Sequence, residues 1–136
     1  MAFTSIVAIS PPWRRSPQYV VTCRFYCEGF SRPIPSLFLL DSGADTTTIV
    51  AERFGLNFKK LKKGSTALTP AGPVETRAVN NVILIFSTEN GKTHAEMLDR
   101  VDVISLPEAP FHGILGMDIL GRFKWYRDKY LWRLKK

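Results

Sequence analysis

Leu37-Phe38-Leu39-Leu40-Asp41-Ser42-Gly43-Ala44-Asp45-Thr46 is the stretch on which the reading of this chain turns. Four consecutive apolar residues read as a fully buried strand, and that strand delivers a carboxylate, Asp41, to its end. An aspartate so placed is poorly solvated, and a buried carboxylate persists only if it is hydrogen-bonded, paired or functional. Gly43 allows close backbone approach to it. Taken alone, Asp-Ser-Gly is equally an Asx-turn that ends a strand, so its meaning depends on the rest of the chain.

Far downstream, Gly113-Ile114-Leu115-Gly116-Met117-Asp118-Ile119-Leu120 reads as a short apolar strand ending in Gly and running into a helix over 117–123, with Ile119, Leu120 and Phe123 on its inner face. Between these elements, strand-like runs 65–69 and 74–79 flank Pro70-Ala71-Gly72-Pro73, whose Gly between prolines signals a hairpin tip. Upstream, Val21, Cys23, Phe25 and Cys27 alternate with Val20, Thr22, Arg24 and Tyr26 in a half-buried strand over 19–27. Residues 51–54 form one helical turn with Gly55 as its positive-φ cap, and Lys59-Lys60-Leu61-Lys62-Lys63 is a solvated basic connection. Residues 82–86 read as a buried strand, Asn90-Gly91 as a hairpin turn of the favoured type, and 93–104 as its partner. A C-terminal hairpin runs from Trp125-Tyr126 through Arg127-Asp128-Lys129 to residues 130–134.

The composition agrees with a mainly β fold carrying one or two short helices. At 136 residues, 45% apolar and 23% charged, the chain is one globular domain and not a disordered, collagen-like or disulfide-dense one. A domain of this size buries roughly two thirds of its unfolded surface, enough for a core without metals or bridges. Cys23 and Cys27 stand about 13 Å apart along one strand, beyond disulfide reach, and read as buried thiols of a reducing compartment. Residues 6–9 are too short for a signal core, and no apolar run approaches the roughly 20 residues of a membrane helix, so a cytoplasmic protein without membrane contact is expected.

The two motifs in this order, Leu39-Leu40-Asp41-Ser42-Gly43-Ala44-Asp45-Thr46 and then Ile114-Leu115-Gly116-Met117-Asp118, with a hairpin between them, resemble the retropepsin-like aspartic proteases, the single-domain proteases of retroviruses, retrotransposons and their cellular relatives. The resemblance spans about 19–134 of a single domain, 1–136. It implies a closed, mainly antiparallel β-barrel-like fold and an endopeptidase that needs no metal or organic cofactor. Such chemistry needs one carboxylate as base to activate a water and a second as acid, two like groups sharing a proton. This chain supplies one such loop, so a homodimer is implied, with Asp41 of two chains meeting on a two-fold axis. By the same resemblance Ser42 bonds across the axis, and Gly43 shapes the loop. Ala44 and Asp45 line the cleft for a peptide or protein substrate, Ala71 and Gly72 form the tip of a closing flap, and Ile114, Leu115 and Gly116 pack beside the loop. For Asp45 the alternative is a turn-capping carboxylate, and for the flap an ordinary exposed hairpin. Val50, Val74 and Ile114 are candidate pocket residues or simply core.

The chain also departs from the family pattern. Retroviral members commonly carry Arg after the Gly of the second motif, where this chain has Met117; Arg122 is a candidate substitute cation. Asp118, at a helix start, reads as a capping or dipole-stabilising group and not as a second catalytic acid. His94 and His112 lack the neighbours of a metal site, and Ser42 lacks the surroundings of a serine triad. The net charge of +7 and the aromatics Trp125, Tyr126, Tyr130 and Trp132 invite a nucleic-acid reading, but alternation in a hairpin places those rings in a core or subunit interface, and no specific nucleic acid is expected. The rival to the enzyme is a catalytically silent dimerisation or peptide-binding module of the same fold.

Overall fold

The computed structural model describes residues 5–11, 16–69 and 72–136. In chain order its strands are β1 (Ile6–Ile9), β2 (Val20–Tyr26), β3 (Ile34–Leu40), β4 (Thr48–Val50), β5 (Lys62–Thr69), β6 (Gly72–Ser87), β7 (Thr93–Ile104), β8 (Gly113–Leu115), β9 (Lys124–Arg127) and β10 (Leu131–Lys135). Helical structure is limited to 3-10 turns at Ala51–Phe54 and Phe58–Lys60 and to α1, Met117–Leu120.

The strands pair in the order β5-β6-β7-β4-β8-β3-β2-β1-β10-β9, and a further pairing of β2 with β6, Phe25 opposite Leu84, closes β6-β7-β4-β8-β3-β2 into a six-stranded barrel. The closed fold is mainly antiparallel, with β3–β8 and β4–β7 parallel. Closure leaves the barrel's six strands without free edges, while β5 and β9 end the sheet at either side. Phe25, Phe38, Ile49, Leu84, Phe86, Leu115, Ile119 and Leu120 fill the interior and are all fully buried. Where β8 threads between β3 and β4, the backbones approach so closely that a Cβ on Gly113 would stand 2.5 Å from both the Phe38 ring and the Thr48 carbonyl oxygen.

Several elements differ from the sequence reading. Residues 37–40 alternate: Phe38 and Leu40 are buried, whereas Leu37 and Leu39 are only partly so, because β3 lies on the barrel wall with one face outward. Residues 6–9, to which the sequence reading assigned no element, form a strand, since Ile6–Ile9 finds β10 as a partner. Lys62 and Lys63 belong to β5, not to a connection, and the runs at 74–79 and 82–86 are one strand, bent at Asn81, whose φ is 54°. The favoured two-residue turn requires positive φ at both central positions. Here only Gly91 has it, at 80°, and its N–H bonds the Thr88 carbonyl, which describes a type I turn followed by a glycine bulge. The helix after Gly116 stops at Leu120, short of Phe123. Gly55 has the expected left-handed φ of 66°.

The C-terminal hairpin splits its aromatics. Trp132 is buried against Tyr19, with ring centroids 5.5 Å apart at 88°, while Trp125, Tyr126 and Tyr130 are exposed. The hairpin is fastened by Glu96 on β7, only 5% exposed, which pairs with Arg122 at 2.8 Å and Lys136 at 2.9 Å and contacts His94. Burial alone would raise the Glu96 carboxyl; the hydrogen bonds from Arg122, Lys136 and His94 outweigh it and hold the group down at about 2. Cys23 and Cys27 are buried free thiols, pushed up by burial to about 12 and about 11.

Two stability predictions follow from this packing. Gly113→Ala forces a methyl group into the β3–β8–β4 crossing and costs about 1–3 kcal/mol in urea unfolding; an unchanged midpoint contradicts the packing described. Because the Glu96 carboxyl is depressed in the fold, its stabilisation is complete above its unfolded value of 4.5 and disappears as pH falls towards about 2. Glu96→Gln therefore loses stability at neutral pH and shows a flatter acid limb than wild type over that interval in thermal melts.

Candidate active site

Asp41 follows directly on β3, and its position is set by main-chain bonds on both sides of that strand. Leu40 N–H bonds the Tyr19 carbonyl at 3.0 Å, and Asp41 N–H bonds the Leu115 carbonyl at 3.0 Å. The chain then turns back: Ala44 N–H donates to the Asp41 carbonyl at 3.1 Å, and Gly43 N–H donates to Asp41 Oδ1 at 2.9 Å. A Cβ on Gly43 would stand 3.2 Å from that same oxygen, which is why the position suits glycine.

The downstream motif holds this loop from beneath. Met117 N–H donates to the Ala44 carbonyl at 2.8 Å and Asp118 N–H to the Asp45 carbonyl at 3.1 Å. A Cβ on Gly116 would fall 2.5 Å from the Thr46 carbonyl carbon and 2.9 Å from the Ala44 carbonyl oxygen, so the two backbones touch. Thr47, fully buried, joins them: its N–H donates to Asp118 Oδ2 at 2.9 Å, its hydroxyl donates to Asp118 Oδ1 at 2.7 Å, and the same hydroxyl accepts from Gly116 N–H at 3.2 Å. Asp118 lies in the first turn of α1, as a charge placed to favour the helix dipole would, but its carboxylate bonds the loop and does not cap the helix at Gly116. Sequence reasoning passed over Thr47. The available signal was that a threonine turned inward beside a motif must bond its hydroxyl to something.

In the single chain the Asp41 carboxylate is exposed, as are Ser42, Gly43 and Asp45, with Ala44 partly covered. The expected desolvation of Asp41 is therefore not met within one chain: β3 ends at Leu40, and the loop turns outward from the barrel wall. Ile114 is partly buried opposite Leu39 and Thr48, and Leu115 is fully buried. Val50 is core at 1% exposure; Val74 is partly exposed on β6. Gly72 opens β6 opposite Thr69 with φ 113°, and Ala71 lies outside the described residues. Arg122 is spent on Glu96 and the Met97 carbonyl and does not stand in for the missing family arginine at Met117. His112 accepts from Leu37 N–H through Nδ1 at 3.1 Å, and burial, then the charge of Arg53, lowers its pKa. Among the described residues no group of three or more His, Cys, Asp or Glu side chains could hold a metal ion, and no helix is long and apolar enough to cross a membrane.

The family model described as retroviral aspartyl protease matches residues 18–126, and the chain belongs to that family. Its fold is shared with a retropepsin-like aspartic protease from Rickettsia conorii, at 23% identity and a TM-score of 0.58, over 96% of this chain and 89% of that one. It is also similar to EIAV protease complexed with the inhibitor HBY-793, at 21% identity and a TM-score of 0.50, over 83% of this chain and 92% of that one. Among curated proteins nothing matches.

The Thr47 hydroxyl serves two partners at once, so Thr47→Val leaves Gly116 N–H and one Asp118 oxygen unsatisfied. A loss of about 1–3 kcal/mol in urea unfolding is expected; a variant as stable as wild type shows that this contact does not hold the loop.

Proposed function

We propose that the chain is an aspartic endopeptidase active as a homodimer, in which Asp41 of each protomer contributes one carboxylate of the catalytic pair. The observation that carries this reading is an exposed Asp41 at the end of a barrel strand, on a loop braced by Gly116, Thr47 and Asp118, with one such loop per chain. The family to which the chain belongs supports it.

With two loops facing across a two-fold axis, one Asp41 takes a proton from water while the water oxygen bonds to the peptide carbonyl carbon. The other, protonated, supports the carbonyl oxygen; breaking the C–N bond then sends a proton to the leaving amine. Gly43 N–H holds one oxygen of Asp41, which fixes the direction in which the other faces. Ser42 ties the two loops together across the axis, and Ala44 and Asp45 hold the substrate's main chain. The β5–β6 hairpin, in which Gly72 opens β6, closes over the peptide as a flap. Met117 leaves the dimer without an arginine tie, so the bound peptide carries a larger share of its cohesion. A cytoplasmic setting suits two buried, unpaired thiols.

Asp41→Asn and Asp41→Ala each lower peptide cleavage by about a hundredfold to ten-thousandfold, measured over acid to neutral pH. Excess Asp41→Asn chain added to wild type also suppresses the wild-type rate, because mixed dimers hold a single carboxylate. Undiminished cleavage by the variants overturns the assignment; peptide binding without cleavage by wild type identifies the silent module instead.

A further inference from the structure

A groove of about 810 Å³, with no residue of the Asp41 loop in its lining, lies between the turn joining β2 to β3 and the 3-10 turn Ala51–Phe54. Its size is that of a small-ligand site, roughly 300–1,000 Å³. Phe30 and Phe54 form an aromatic corner, with centroids 6.0 Å apart and planes at 44°, and both rest on buried Phe25 at 5.9 and 4.9 Å. Ile34 and Leu56 extend the apolar wall.

Arg32 is the charged residue of the groove lining, is exposed, and has no ion pair among the described residues. Arg53 precedes Phe54 in the same turn, outside the lining. Glu52, the acid of that turn, is directed elsewhere, to Ser105 and to the Leu106 N–H at 2.8 Å. Aromatic rings and a guanidinium on the walls of one groove, with no carboxylate in the lining, match a ligand with an apolar body and an anionic end. Guanidinium also favours carboxylate through paired N–H donors.

We propose that this groove binds an apolar carboxylate, with a ring or branched side chain against Phe30 and Phe54 and the carboxylate on Arg32. Its occupancy is felt on the strand that carries Asp41. Phe54 meets His112 edge-on at 5.2 Å, His112 Nδ1 accepts from Leu37 N–H at 3.1 Å, and His112 N–H donates to the Leu37 carbonyl at 2.8 Å. The inference does not depend on cleavage activity.

Isotope-labelled full-length protein is titrated with 3-phenylpropionate, with a tripeptide ending in Phe with a free carboxylate, and with the same tripeptide amidated. Amide shifts of Arg32, Phe54 and Leu37 are followed. The expected result is a saturable shift with an acid, about tenfold weaker for the amide and in Arg32→Gln, whose side chain is exposed and whose fold is checked by its spectrum. Phe54→Leu weakens binding of both acids while keeping the charge. Binding of the tripeptide acid alone assigns the site to a chain terminus; binding of phenylpropionate alone assigns it to a small acid. No saturable shift with either acid, equal binding of the amide, or unchanged affinity in Arg32→Gln overturns the proposal.

Discussion

The contact on which the site depends is the carboxylate of Asp118 on Thr47. It joins two parts of the chain that lie far apart in sequence, and around it Met117, Asp118 and Gly116 N–H groups also find acceptors on the loop that begins at Asp41. Because Thr47 and Gly116 are buried, the Thr47 hydroxyl and N–H and the Gly116 N–H cannot turn to water if the contact breaks, and they would be left unsatisfied. The loop is therefore rigid for a reason that lies outside it. The site also cannot form until the last third of the chain has packed, which makes it a property of the closed barrel and not of the Asp-Ser-Gly turn.

The same logic of distant closure runs through the rest of the molecule. β8 is only Gly113–Leu115, yet it sits between β3 and β4 and is held there by a glycine too crowded to carry a side chain. The pairing of β2 with β6 completes the barrel, and Glu96 fastens the C-terminal hairpin to it through Arg122 and Lys136. Arg122 is thereby committed to the fold, which leaves the Met117 position without a cation.

What could be read in advance was local. The turn at Ala51–Phe54 with Gly55, the span of β7 and the C-terminal hairpin are each specified by residues adjacent in sequence, and so were legible. The order of Asp41 and Gly116 pointed to the family for the same reason: each motif is short and carries its own turn chemistry. What was not legible depended on partners. Ile6–Ile9 looks like nothing until β10 lies beside it, the parallel pairings leave no mark in the sequence, and Thr47 is one threonine among Thr46, Thr47 and Thr48 until Asp118 arrives. The exposure of Asp41 was misjudged because four apolar residues were taken as buried on both faces, whereas Leu37 and Leu39 face outward from the barrel wall.

In the proposed homodimer, that exposure defines what the second chain supplies. A structure of the assembled protein with a substrate-like peptide tests the account directly: it predicts two protomers related by a two-fold axis, with oxygens of their Asp41 carboxylates within about 3 Å of each other or of a shared water. Carboxylates that remain far apart in the peptide-bound assembly, each facing bulk solvent, would contradict it.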